Sequence, residues 1–190
     1  MRKILYKIEN EKIRNSVIVQ DIKSVKTNAG FDINWTNSQG VTLLIEACHM
    51  HRKELILHIL TYPKINVNHQ NKSGDTALHA ICYNSKKNIP ILKLLLNRKD
   101  LDVNIQDNSG YTGLHFVIYD VEMAKELLLD ARINTSLRDK RERTAEDYAR
   151  WTGHSGIAKI LRNSRHTTLL RIPNELLVHD IVRMIIEEYT

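Results

Sequence analysis

The sequence predicts an all-α solenoid of short helix–turn–helix units, and three observations predict it. First, Thr42, Thr76, Thr112 and Thr144 recur at spacings of 34, 36 and 32 residues. Self-similarity at such a period marks a repeat architecture. Second, other registers keep step with the threonines. Gly40, Gly74, Gly110 and then Glu142 stand two residues before them, and Leu44, Leu78, Leu114 and then Glu146 two residues after. The next position reads Ile45, His79, His115 and Asp147. Pairs of the form Asp/Asn-x-Asn/Ser precede each threonine: Asp32-Asn34, Asn66-Asn68, Asp102-Asn104 and Asn134-Ser136. Third, each unit carries two short apolar stretches. None reaches the ~12–15 residues that an isolated helix needs in water, so each must bury its apolar face against neighbouring units.

Taken in order, residues 1–39 form a degenerate first unit. It lacks the threonine signature, but Ile13–Val19 and Asp21–Thr27 fit two short helices, and it is expected to cap the array. Further units follow over 40–73, 74–109, 110–141 and 142–168, the second of these with an insertion near Ser85–Asn88. Within a unit, the Asn/Asp and Gly cluster supplies the turn. The threonine caps the helix that follows, such as Leu78–Tyr83. Second helices are expected over Glu54–Leu60, Ile91–Leu96, Met123–Leu129 and Ile157–Leu161. Thr76, Leu78, Ala47, Leu95 and Leu128 are expected in one continuous core. Asn163–Thr168 is polar, and a separate C-terminal helix is expected over 169–190. There Pro173 suits a first turn, and Leu177, Ile181, Met184, Ile185 and Tyr189 form an apolar stripe at helical spacing.

Composition narrows the function classes. With 42% hydrophobic and 26% charged residues, the 190-residue chain can bury a core. Seven Gly and three Pro exclude collagen-like and linker-rich chains. No apolar run approaches the ~18 residues of a membrane span, and the start turns polar by Lys7, unlike a signal-peptide core. A cytoplasmic location is expected. The net charge of +6 is uneven, because residues 131–171 hold ten basic and four acidic side chains. Nucleic acid could use such a patch. Asp139, Glu142, Glu146 and Asp147 interrupt it, however, and a solvated basic end of the fold is the simpler expectation.

Catalytic chemistry is sought without success. His49, His51 and His58 crowd together in sequence, but an i, i+2 pair does not share a helix face. Cys48 and Cys82 hold matching positions in adjacent units. Packed helices lie ~8–10 Å apart, beyond the ~4.4–6.8 Å Cα separation of a disulfide, so free and partly buried thiols are expected. There is no phosphate-cradling Gly loop and no nucleophile elbow. Glu146-Asp147 and Glu187-Glu188 read as solvated surface pairs. No enzyme, cofactor or metal is expected.

The repeat resembles the ankyrin repeat, with its T-P-L-H-x-A signature at a period near 33. Thr76-Ala77-Leu78-His79 with Leu94-Leu95-Leu96 and Leu101-Asp102-Val103-Asn104 match best, beside Thr112-Gly113-Leu114-His115. Thr144-Ala145-Glu146-Asp147-Tyr148-Ala149 with Gly153-His154 is similar to a terminal repeat. The resemblance spans roughly residues 10–162. Proline is absent from every signature, and Ile45 and Asp147 replace the histidine.

The resemblance implies that His79 and His115 hydrogen-bond backbone and stitch repeats together, and that His154 is structural. It also implies a protein partner held on the concave face. The turn-tip column maps to Ser38, Gln39 and Val41; Lys72, Ser73 and Asp75; Asn108, Ser109 and Tyr111; and Lys140, Arg141 and Arg143. An exposed first-helix column maps to His49, Tyr83, Tyr119 and Trp151, rings of the kind that favour binding hot spots. An elongated partner, acidic where it meets the last repeat, is expected. In the tail, Ile172-Pro173-x-Glu175-Leu176-Leu177 followed by Ile181 resembles the start of an F-box. Such segments end some ankyrin proteins of poxviruses and intracellular bacteria. That likeness implies an alternative function, a substrate receptor recruiting a ubiquitin-ligase adaptor in a host cytoplasm. A capping helix is the simpler demand of a solenoid.

Overall fold

The computed structural model describes residues 32–83 and 88–170, with the side chains of 165–170 outside the description. The expected N-terminal helices, residues 84–87 of the insertion, and Pro173, Glu175, Leu176, Leu177 and Ile181 of the tail lie outside the described residues. Eight α-helices follow one another among the described residues: α1 Leu43–His49, α2 Lys53–Ile59, α3 Ala77–Tyr83, α4 Ile89–Leu96, α5 Gly113–Phe116, α6 Val121–Leu128, α7 Ala145–Trp151 and α8 Ser155–Leu170. A 3-10 turn, Val117–Tyr119, extends α5. The first helices stack in one row, α1 on α3 on α5 on α7, and the second helices in another, α2 on α4 on α6 on α8. No strand occurs among the described residues; two isolated antiparallel bridges, Thr36 with Thr42 and Arg138 with Thr144, close turns.

Each unit builds its turn with the same bonds. The Oδ1 atoms of Asn37, Asn71, Asp107 and Asp139 each accept from two backbone N–H groups, two and four residues on. Turn tips then pair along the array, with Lys72 N–H donating to Gln39 O, Asn108 N–H to Ser73 O and Lys140 N–H to Ser109 O. Gly74 and Gly110 sit where that pairing is tightest. At Gly110, with φ +82°, a Cβ would stand 2.8 Å from backbone atoms of Asp139 and Lys140. Glu142 holds the equivalent position of the last unit at φ 59°, so the turn keeps its left-handed residue there without a glycine.

A second ladder runs through the Asp/Asn-x-Asn pairs. The Asn34, Asn68 and Asn104 amides donate to the carbonyls of Lys64, Asp100 and Arg132 in the next unit, at 2.7–2.8 Å. Their Oδ1 atoms accept from the N–H groups of Asn66, Asp102 and Asn134. Each asparagine thus pairs both a donor and an acceptor that would otherwise be left at a unit boundary.

One continuous core contains Ala47, Leu78 and Leu95, with Thr76 buried at its edge. The expectation for Leu128 is corrected: Leu127 is fully buried and Leu128 half-buried, because α6 begins at Val121 and its register places Leu127 inward. Cys48 and Cys82 are free, and completely rather than partly buried. Burial pushes the Cys82 thiol up to about 12 and raises Cys48 likewise, which keeps both protonated. The reading of Glu146-Asp147 as a solvated pair is also corrected. Glu146 is only 5% exposed and receives Arg162 and Arg150. Burial opposes ionisation of Asp147, but hydrogen bonds from Thr144 and Arg150 more than offset it and bring the carboxyl to about 2. The polar stretch Asn163–Thr168 does not interrupt the fold, since α8 continues through it to Leu170.

Candidate functional site

Two imidazoles connect the repeated turns to the first helices. His79 Nδ1 accepts from Thr76 N–H at 3.0 Å, and its Nε2 donates to Tyr111 O, in the next unit, at 3.0 Å. His115 repeats this, accepting from Thr112 N–H at 3.2 Å and donating to Arg143 O at 3.2 Å. A ring that must accept at Nδ1 is neutral. Burial, the larger effect, lowers both histidines from their ordinary value, against the backbone hydrogen bonds that raise them.

That neutrality gives a pH dependence. The unfolded chain protonates these imidazoles as pH falls through about 6.5, whereas the folded chain resists protonation until lower pH. Their contribution is therefore complete above the unfolded value and is lost as pH falls through the folded one. The urea midpoint is expected to fall between pH 7.5 and 5.5; a constant or rising midpoint would contradict the neutral stitch. Where Ile45 lacks an imidazole, His69, at the far end of the same unit, bonds to Gly40 O at 2.9 Å. Asp147, in the last unit, keeps the local half of the role: its carboxylate accepts from Thr144 N–H at 3.1 Å.

The bond from His79 sets Tyr111 on the turn tip beside the first helices, and a run of rings grows from it. Tyr83 meets Phe116 edge-on at 5.7 Å, Phe116 meets Tyr111 edge-on at 5.7 Å, and Tyr111 meets Tyr148 at 5.1 Å. Tyr148 stacks on Trp151 at 6.0 Å. Burial, the main cause, together with the neighbouring hydroxyls of Tyr111 and Tyr119, pushes Tyr148 up to about 12. The run thus joins turn tip and first helices over three units.

A family model described as ankyrin repeats in three copies matches residues 16–107 and 81–169. The chain belongs to the ankyrin-repeat family. No curated protein matches it. Ankyrin repeats are generally protein–protein interaction modules. Among the described residues, no helix is long and apolar enough to cross a membrane.

The ankyrin frame distributes the expected site residues over several places rather than one file. His49, Asp75 and Tyr83 line one cavity of about 240 Å³ with His79, Ala80 and Phe116. Trp151 is 65% exposed and lies on Tyr148, with Tyr111 behind it. Tyr119 is 63% exposed, but its ring turns edge-on to His154 at 4.7 Å, so the four-residue column divides rather than forming one file. Val41 is half-buried against the core. Lys140 and Arg141 are exposed at the last turn tip.

Arg143 is not held out beside them. Its guanidinium bonds Asp139 through Nε at 2.9 Å and Nη2 at 2.6 Å, donates to Tyr111 Oη, and lies 4.7 Å from the centres of both the Tyr148 and Trp151 rings. Asp139 is 3% exposed; burial alone would raise its carboxyl, but the bonds from Arg143 and two backbone N–H groups hold it below the usual range. Other arginines of the basic segment are also engaged, Arg132 with Asp130 and Arg150 with Asp147. Sequence reasoning missed Phe116 and Tyr148. Both stand four residues after a signature threonine, and that shared offset was the available signal.

Proposed function

We propose that this ankyrin array holds an extended protein segment along the groove between its turn tips and first helices, without catalysing a reaction. The carrying observation is the unbroken run Tyr83–Phe116–Tyr111–Tyr148–Trp151, which crosses three successive units on one face. Packing does not require its ends to be large, since Tyr83 is 70% and Trp151 65% exposed. Aromatic bodies with polar tips suit a surface that is wet alone and dry when bound. Lys140 and Arg141, exposed at one end, favour an acidic stretch of partner there.

The reading is tested by affinity capture with full-length chain as bait, followed by binding measurements on the captured partner. Trp151→Ala is expected to weaken binding by about 2 kcal/mol or more, as for a central hot-spot ring. Lys140→Glu with Arg141→Glu is expected mainly to slow association and flatten its salt dependence. A partner whose affinity is unchanged by both Tyr83→Ala and Trp151→Ala, with helicity intact, would place the site off the groove.

A further inference from the structure

The run of rings contains an internal example of what the groove can hold. Arg143 stands one residue before its signature threonine, and its guanidinium is fixed by a carboxylate, Asp139, and two ring faces, Tyr148 and Trp151. Those rings sit four and seven residues after Thr144. In the preceding units, the same offsets bring different residues together. Phe116 follows Thr112 by four, Tyr83 follows Thr76 by seven, and Asp75 precedes Thr76 by one. There the position one before the threonine supplies the carboxylate rather than the cation. Asp75, Tyr83 and Phe116 all line the cavity of about 240 Å³.

The chemistry of that cavity selects a charge. Among the described residues, its one carboxylate is Asp75, and no lysine or arginine lines it. The His79 imidazole in its wall is neutral, since Nδ1 accepts from Thr76 N–H and Nε2 donates to Tyr111 O. The planes of Tyr83 and Phe116 cross at 80°, and those of His79 and Phe116 at 86°, so the rings form a corner rather than a closed stack. A cation within ~6 Å of an aromatic face is attracted by the ring quadrupole. A planar guanidinium can lie on a ring and donate to a carboxylate at once, which an ammonium does less well. We propose that the corner between Asp75, Tyr83 and Phe116 receives an arginine side chain of the protein segment held in the groove.

This rests on the groove reading and deepens it. The segment then carries an arginine over the cavity and acidic residues toward Lys140 and Arg141.

The test uses the full chain, isotope-labelled, at low salt, where exposed charges are least screened. N-acetyl-arginine amide is titrated against N-acetyl-citrulline amide, which keeps the shape and removes the charge. The expected result is saturable shifts at Ala80, Tyr83 and Phe116, with citrulline at least fivefold weaker. Asp75→Asn, which preserves volume, should weaken the arginine probe about fivefold, and Tyr83→Ala about threefold. Equal binding of the two probes, shifts spread over the surface without saturation, or insensitivity to Asp75→Asn would each overturn the proposal. Selection of displayed peptides on the same chain separates the two readings. Peptides that need Trp151 but no arginine overturn the cavity assignment and leave the groove. Peptides indifferent to both Tyr83→Ala and Trp151→Ala overturn both.

Discussion

Leu95→Ala is expected to destabilise the protein by about 2–5 kcal/mol, read as a lower urea midpoint by circular dichroism at 222 nm. Leu95 is fully buried on α4. That helix lies inside the second row, between α2 and α6. The leucine therefore has neighbours on both sides, and the space it leaves cannot close by local collapse. Stability in a solenoid is a sum of unit and nearest-neighbour terms, so a defect in a central unit weakens two interfaces. Leu96 on the same helix is half-buried and serves as the control, with a smaller expected loss on truncation. The same contrast holds between Leu127 and Leu128. A change below about 1 kcal/mol for Leu95→Ala, against that range for buried leucines, would mean that α4 does not face the core.

The second large effect is expected from Gly110→Ala, at about 2–4 kcal/mol. Left-handed backbone costs an L residue roughly 1–2 kcal/mol. Here the added Cβ also meets the Asp139 Cα and Lys140 N at 2.8 Å, backbone atoms that cannot swing aside. Relief would require the turn tips to part, losing the bond from Lys140 N–H to Ser109 O. Gly153 separates the two contributions. Its φ is +84°, but among the described residues no atom beyond its chain neighbours lies within 4 Å of the place its Cβ would take, so Gly153→Ala should show the conformational cost alone. Equal losses at the two glycines would mean that close approach of the turns contributes nothing.

The repeat itself was legible because turn chemistry is local. An asparagine or aspartate, a glycine and a capping threonine each act within a few residues, so their period survives in the sequence. The groove was legible in part. The resemblance to the ankyrin repeat pointed to Tyr83 and Trp151, but which ring touches which depends on contacts between units. Phe116 and Tyr148 join the run only because Tyr111 is held between them by the bond from His79. Arg143 read as an offered charge because its partners, two rings and a carboxylate four residues back, meet it only in the folded turn. Glu146 read as surface because Arg162, which meets it, is sixteen residues away. Asn163–Thr168 read as a break on polarity alone. It contains neither glycine nor proline, so nothing in it stops a helix.

The asparagine ladder has a direction, and the last repeat is written for one end of it. Asn34, Asn68 and Asn104 each reach forward to the following unit, whereas Ser136 stands at the matching place with a side chain too short for the double reach. Glu142 replaces the glycine over which the next turn would fold, Glu146 the buried leucine, and Asp147 the histidine that would stitch onward. Every one of these replacements falls on the side that, in the inner units, faces a successor. The units are therefore words with fixed places rather than interchangeable beads. A copy of residues 74–109 spliced between two inner units would find a partner for each of its forward bonds. Residues 134–168 moved inward would present a short serine, a crowded turn and a buried carboxylate to their new neighbour, and the urea midpoint of the two rearranged chains would tell them apart.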